Sequence, residues 1–470
     1  MSADWPELSI EELKANSKNA IAMGPFGSRI KAENFVNSGV PVIKGGNLNG
    51  DFILEDKFDF LTEEKATELQ ASNAYRRDIV ITHRGTIGQV GIIPDNSKYE
   101  RYVASQSQLK VTLDQEKINP FFVYYFLRSP VGQHRLLTNA SQVGVPAIAQ
   151  ASSSVKSIMV PCPDRDIQDK IVEISLNLDH KIELNRQTNQ TLEEMAQAVF
   201  KSWFVDFEPT RAKIKAIENG QDPTRAAMTA IAGKTIDQLE TLSPDQIKSL
   251  TATADLFPDT LVTSELGEIP DGWEAKPLYE TAEYVNGAAF KSVDFCDPEE
   301  GLPIIKIAEL KQGIYDGTKY TLKEVKQRHF ITNDDVLYSW SGSPETSLEV
   351  FKWFGGDGWL NQHIFKLNFA SDEQKYFTYY LLKHMKPVLI AIAQDKQTTG
   401  LGHVTVADMK RLLVTYPDDA LLQEFKKRIA PLYEQCSTIE KENITLSEIR
   451  DALLPKLLSG EIEINGEVAQ

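Results

Sequence analysis

Two strings in this chain carry residues whose order could serve adenine chemistry. Asn119-Pro120-Phe121-Phe122 sets an amide, a prolyl carbonyl and an aromatic ring in a row, a set that can hold an exocyclic amine and stack a flipped base. Phe354-Gly355-Gly356-Asp357-Gly358 is a glycine string of the kind that lets backbone approach a nucleotide cofactor. Neither reading carries far. The first string lacks the second proline that such chemistry uses, and the second stands between Trp353 and Trp359, which reads as a hairpin turn. The seven histidines and three cysteines (Cys162, Cys296, Cys436) do not cluster at ligand spacing, so no structural zinc is expected. No group of acids with a lysine has the spacing of a metal-dependent nuclease. The chain is therefore expected to hold no catalytic residues, no metal and no cofactor.

The elements that position its polar residues are more informative. Ile171, Leu178, Asn185, Leu192 and Val199 recur every seven residues, and so do Phe425, Leu432, Ile439, Leu446 and Leu453. The second series follows the first at an offset of 254, and Asn443 follows Asn189 at the same offset. Ile174, Ile182 and Met195 flank the first series, and Ile429, Cys436 and Ile449 the second. An apolar heptad held this long marks a helix whose narrow seam needs a partner helix. The two helices are expected to pair antiparallel, as a rod of roughly 50 Å at about 1.5 Å per residue. Asn185 interrupts its seam and is expected to fix register at a cost in stability. Asn189 and Asn443 are expected to come close near the helix centres.

The segments between the helices repeat as well. Gly39-Val40-Pro41-Val42-Ile43-Lys44 returns as Gly301-Leu302-Pro303-Ile304-Ile305-Lys306, and Asp78-Ile79-Val80 as Asp335-Val336-Leu337. Ser105-Gln106-Ser107 corresponds to Asn361-Gln362-His363, and Phe122 to Leu127 corresponds to Phe377 to Leu382. Trp5 and Trp273 open the two copies. Such long-period self-similarity means one architecture built twice. Within the first copy, strands are expected at Asp78–Ile81, Gln108–Val111 and Val155–Val160, a short helix over 62–72, and a helix from Phe121 to Leu127.

The expected fold is α+β: two similar mixed α/β domains separated by two long helices that form an antiparallel coiled coil, with pseudo-twofold symmetry. The divisions are residues 1–165, a long helix over 166–207, a connector with short helices over 208–271, a second domain over 272–420, and the second helix with a tail over 421–470. The net charge of −17 argues against tight, unaided binding to a polyanion. Residues 1–165 nonetheless balance at 18 basic and 18 acidic side chains, whereas 166–280 carry 11 and 21. Either domain can still present a positive face. No apolar run long enough for a bilayer and no signal peptide is seen, and scattered cysteines suit a reducing, cytoplasmic setting.

At this point the chain resembles the specificity subunit of type I restriction-modification enzymes. The residues that carry the resemblance are Arg450 to Ile462 at the end of the second helix, Met195 to Phe207 at the end of the first, Gly24-Pro25-Phe26-Gly27-Ser28, and Arg84-Gly85-Thr86-Ile87-Gly88. The resemblance covers nearly the whole chain. It implies two target-recognition domains, each reading half of a split site on double-stranded DNA. It implies a helix pair that docks two methyltransferase subunits, joined by motor-nuclease subunits. S-adenosylmethionine would then belong to the methyltransferase, and ATP with Mg to the motor-nuclease. The chain itself would be non-catalytic. The second copy departs from the first at the Arg84 loop, where it reads Ser339-Trp340-Ser341-Gly342-Ser343.

Base edges are read by Arg, Lys, Asn and Gln, and phosphates are held by basic side chains and small hydroxyls. On that basis the expected DNA contacts of the first domain are Ser28, Arg29, Lys31, Asn47, Arg84, Thr86, Gln106, Gln108 and Gln142. Those of the second are Lys291, Lys306, Lys311, Ser341, Ser343, Gln362, His363, Gln397, Thr398 and His403. Arg76 and Arg77 rank below Arg84. Tyr124, Tyr125, Tyr379 and Tyr380 are expected in the core. The alternatives are a coiled-coil scaffold that never touches DNA, and a self-contained adenine-N6 methyltransferase.

Overall fold

The computed structural model describes residues 5–50, 52–141, 144–396 and 401–462. The chain forms two compact units, Met1–Leu184 with Asn443–Gln470, and Asn185–Glu442. Each unit contains one globular head and part of both long helices, Arg165–Phe204 and Asp419–Leu458.

In the first unit a four-stranded antiparallel sheet runs in the order Ile21–Met23, Gln108–Val111, Ile79–Thr82, Val90–Ile92. Its apolar residues are buried on both faces. Ile79, Ile81 and Leu109 pack against the aromatic helix Pro120–Arg128, while Val80 joins Ile43 and Tyr102 on the other side. That second layer is a five-stranded sheet in which Val40–Ile43 pairs parallel with Tyr102–Ala104. Asn119 caps the aromatic helix, its side chain accepting from the Phe121 amide at 2.9 Å, with Pro120 where a missing N–H costs nothing. The Asn-Pro string is thus a helix start. Its Nδ2 donates to Asp169 at 2.7 Å and its amide to Gln168 at 2.8 Å, which ties the head to the first long helix. The expected strand Val155–Val160 is half right: Ala151–Lys156 is helical and only Met159–Pro161 is extended, paired with Glu7–Ser9. Val155 is buried from the helix, so an apolar position was mistaken for a strand position.

The second unit contains the same frame. Its four-stranded sheet runs Glu283–Asn286, Ile364–Asn368, Val336–Ser339, Glu349–Lys352. Its other sheet pairs Leu302–Ile305 parallel with Gly358–Leu360. Special details recur. Arg77 and Asp334 share a left-handed backbone, with φ of 68° and 70°. Asp78 lies 3.8 Å from Lys110, and Asp335 lies 2.8 Å from Lys366. The glycine string at 354–358 is not a hairpin turn but a crossover from strand Glu349–Lys352 of one sheet to Gly358–Leu360 of the other. The connector folds as helices Glu208–Glu218, Pro223–Ala232, Ile236–Leu239 and Pro244–Asp255, then a hairpin, Leu261–Ser264 with Gly267–Pro270. An aromatic cluster of Phe200, Trp203, Phe204, Phe257, Phe377 and Phe425 holds the end of the first long helix in this unit's core. Tyr124, Tyr125, Tyr379 and Tyr380 are all buried, as expected.

Within each unit the long helices run antiparallel. In the first, Asp179 accepts from Arg450 Nη1 at 2.9 Å and Ile182 O accepts from Asn443 Nδ2 at 3.4 Å. In the second, Asn185 Nδ2 donates to Glu442 at 2.8 Å and Asn189 Nδ2 to Cys436 O at 3.2 Å. Asn189 and Asn443 therefore each reach a main-chain carbonyl of the opposite helix, at sequence positions that obey the 254-residue offset. The seam is broader than the heptads implied. Ile171, Asn185 and Phe425 are buried, but Leu178, Leu192, Val199, Leu432, Ile439, Leu446 and Leu453 are half-buried. The flanking positions Ile182, Ile429 and Cys436 are buried instead, whereas Ile174, Met195 and Ile449 are exposed. The reason is that each helix packs against a head as well as against its partner, which rotates the buried track. Ser175 and Asp179 become buried, Asp179 accepting from the head's Tyr125 at 2.6 Å.

Candidate nucleic-acid interface

In the first head three loops are tied together by main-chain bonds at one end of the four-stranded sheet. Strand Gln108–Val111 is entered by a tight turn, Gln108 N donating to Ser105 O at 2.9 Å. The next loop joins it through His83 N, which donates to Ser107 O at 2.9 Å. The hairpin Ala140–Ser141 with Ala147–Ile148 joins through Ile148 N to His83 O at 2.9 Å and through Gly85 N to Pro146 O at 2.8 Å. His83 is thus the centre of the frame. It is buried, and burial holds its imidazole below the ordinary value, so it stays neutral at pH 7. Gly24 packs directly beneath the turn: a Cβ there would lie 1.8 Å from Ser105 O, which no side chain permits.

On this frame Gln106, Arg84 and Thr86 are exposed, and Arg29 and Lys31 are exposed on the loop that follows Gly24. Two expected contacts are spent inside the protein. Asn47 is buried; its Oδ1 accepts from Lys44 N at 2.9 Å and its Nδ2 donates to Leu54 O at 3.1 Å and Lys57 O at 2.9 Å. Gln108 is buried, its Nε2 donating to Thr82 at 3.2 Å and its Oε1 accepting from Ser105. Asn47 staples its loop and Gln108 braces the turn, so neither offers a free edge. Gln142 lies outside the described residues, as does the side chain of Ser28. Arg76 and Arg77 are committed to Glu100 at 2.8 Å and Asp95 at 2.7 Å.

The second head repeats the frame. Ile364 N donates to Asn361 O at 3.1 Å, Trp340 N to His363 O at 3.4 Å, and Val404 N to Trp340 O at 3.0 Å. Ser341 pairs with His403 across a short antiparallel ladder. Trp340 stands where the first head has His83, its Nε1 donating to Asn286 at 3.2 Å. Gly287 stands where the first has Gly24, and a Cβ there would lie 2.2 Å from Asn361 O. His363, His403, Ser343, Lys291 and Lys311 are exposed; Ser341, Gln362 and Lys306 are half-buried. Partial desolvation holds His363 below the usual imidazole value, leaving one donor and one acceptor at pH 7. Lys306 sits over the Phe295 ring at 5.3 Å, as Lys44 sits over Phe35 at 5.3 Å. Gln397 and Thr398 lie outside the described residues.

The residue-by-residue expectation missed a polar cleft beside the first head's frame. It measures about 190 Å³ and is lined by Asn49, Gly88, Gln89, Arg128 and Gln133 among others. Gln89 Nε2 donates to Asn49 at 2.5 Å and to Gly45 O at 3.1 Å. Its walls come from segments about forty residues apart, and no local spacing announces such a meeting. Among the described residues no cluster of His, Cys, Asp and Glu could hold a metal, and no helix is long and apolar enough to cross a membrane.

Comparison with known proteins now gives these heads a context. The sequence pattern of the family described as Type I restriction modification DNA specificity domain matches residues 25–194 and 270–448. The HindI type I restriction enzyme specificity subunit of Haemophilus influenzae is 27% identical, over 98% of this chain and all of that one. The MjaIX specificity subunit of Methanocaldococcus jannaschii is 22% identical over 86% of this chain and 82% of that one. The crystal structure of a type I restriction-modification S subunit from M. genitalium covers 97% of this chain and 96% of that one, with a TM-score of 0.49 and 17% identity. The family match takes in most of both heads and extends into both long helices, so this chain belongs to the type I restriction-modification DNA specificity family and is a non-catalytic DNA-recognition subunit with two recognition domains.

Proposed function

We propose that each head reads one half of a split DNA site and that the long helices set the unread gap between the halves. The observation that carries this reading is the shared loop frame of the two heads with different side chains mounted on it: Arg84 against Ser341, Ser107 against His363, His83 against Trp340. A common frame gives both heads the same way of approaching a groove, and the substitutions give each its own sequence. The contact set comprises Arg29, Lys31, Arg84, Thr86 and Gln106 in the first head, and Lys291, Lys306, Lys311, Ser341, Ser343, Gln362, His363 and His403 in the second; Ser28, Gln142, Gln397 and Thr398 belong to the same proposed set.

Two methyltransferase subunits dock on the long helices, which expose Leu184 at 60% and Met195 at 53% along with Ile444 and Ile449. Those partners hold S-adenosylmethionine; motor-nuclease subunits, with ATP and Mg, join the same complex in the cytoplasm. The recognition domains span residues 1–165 and 272–420. The test is an exchange of residues 1–165 for the corresponding segment of a relative, followed by mapping of methylated adenines across the host genome. One half-site changes and the other stays. A change in both, or in neither, overturns the assignment of one half-site to each head.

A further inference from the structure

Gln106 and Gln362 occupy the same place in the two heads, and the frame around them agrees bond for bond. Each is the second residue of its four-residue turn. The turn's first amide donates to the neighbouring parallel strand, Ser105 N to Ile43 O at 3.0 Å and Asn361 N to Ile305 O at 3.0 Å. Its last carbonyl accepts from the glycine beneath, Gln108 O from Gly24 N at 2.8 Å and Ile364 O from Gly287 N at 3.0 Å. A glycine fixed under the carbonyl of Ser105 or Asn361 leaves the turn no room to settle. The glutamine at its tip is therefore presented from the same backbone in both heads.

The side chains around that tip differ: Ser105 against Asn361, Ser107 against His363, Arg84 against Ser341. Two lysines are also shared, Lys31 with Lys291 and Lys44 with Lys306, and a shared lysine suits phosphate contact, which carries no sequence. Glutamine is different. Its amide offers one donor and one acceptor side by side, the pair that matches adenine N7 and N6 in the major groove. Gln362 is already oriented, its Oε1 accepting from Asn361 Nδ2 at 2.8 Å and its Nε2 lying 3.3 Å from His363 Nε2. An amide has two lone pairs and two N–H bonds, so one of each remains for a base.

We infer that Gln106 and Gln362 read the same base, an adenine other than the one methylated, at matching places in the two half-sites. The methylated adenine is excluded because a base taken out of the stack no longer shows its groove edge to a reader. This inference rests on the reading of the heads as half-site readers. Matching place means the same distance from the methylated adenine, counted on the strand that each head contacts.

The test maps methylated adenines in host cells carrying the wild-type chain, Gln106→Ala, Gln362→Ala or Gln106→Arg. In the wild type both half-sites hold a second adenine at the same distance from the methylated one. Gln106→Ala lowers discrimination at that position of the first half-site by about tenfold and leaves the second half-site unchanged; Gln362→Ala does the reverse. Gln106→Arg moves the preference there to guanine, whose O6 and N7 suit a guanidinium. Split sites without that shared adenine overturn the inference and leave the half-site reading standing. So does a Gln106→Ala variant that relaxes no position or several. Sites that are not split at all overturn the half-site reading itself.

Discussion

Asp78, just before strand Ile79–Thr82, and Lys110 on the neighbouring strand are both buried, and Asp335 and Lys366 repeat the pair in the second head. Burial pushes the Asp78 carboxyl up from its usual range and Lys110 opposes that push. Removing one partner of a buried pair leaves the other charge without compensation, whereas removing both is often tolerated. Lys110→Met is expected to cost about 3–5 kcal/mol, and Asp78→Asn with Lys110→Met to recover most of it. Urea unfolding of the purified chain measures both. In the single variant the Asp78 pKa rises further above its unfolded value, so the deficit shrinks as pH falls through that raised pKa and the carboxyl protonates. A deficit independent of pH would mean that lost packing, not stranded charge, is the cost. At this scale the sequence was partly legible. It marked exposed loop residues such as Arg84 and Gln106, but it misread Asn47 and Gln108, whose polar groups are used up by main chain and neighbours that only folding brings near.

The two long helices show how a seam is set. Four polar rungs fix their register within the two units: Asp179 with Arg450, Asn443 with Ile182 O, Asn185 with Glu442, and Asn189 with Cys436 O. A polar group in a seam is satisfied at one register and stranded at others, so it selects alignment at some cost in stability. Inserting or deleting one helical turn in the 180–190 region of the first helix is expected to change the length of the unread gap and leave both half-sites intact. Mapping methylated sites in such variants decides it; altered half-sites with an unaltered gap would remove the helices from the spacing role. The heptads announced this pairing because apolar spacing is a local property. They did not announce which track is most buried. That depends on the head against each helix, and it left Met195 and Ile449 outside while Ser175 and Asp179 went in.

For the molecule as a whole, charge is the governing quantity. A chain of net charge −17 repels a polyanion at long range, and its first 165 residues are merely neutral. DNA affinity comes largely from cationic groups that displace counterions from phosphates. The purified chain is therefore expected to bind DNA weakly and with little sequence preference at physiological salt, and specific binding to appear when its methyltransferase partners are added. Titration of labelled DNA with and without those partners tests this. Tight, site-specific binding by the chain alone would show that its own loops supply enough positive field.

What the sequence by itself determined is the plan: a duplicated unit, two heptad helices with matched registers, turn glycines at fixed places, and helix starts such as Asn119-Pro120. These follow from periodicity, capping and backbone freedom, all of which act over a few residues. What only the tertiary structure decided is which polar groups remain available. The Gly24 contact beneath Ser105 and the meeting of three loops at His83 join residues about twenty to eighty positions apart. A hydrogen-bond group is free to read a partner only when no other part of the chain has claimed it, and that is settled by long-range packing.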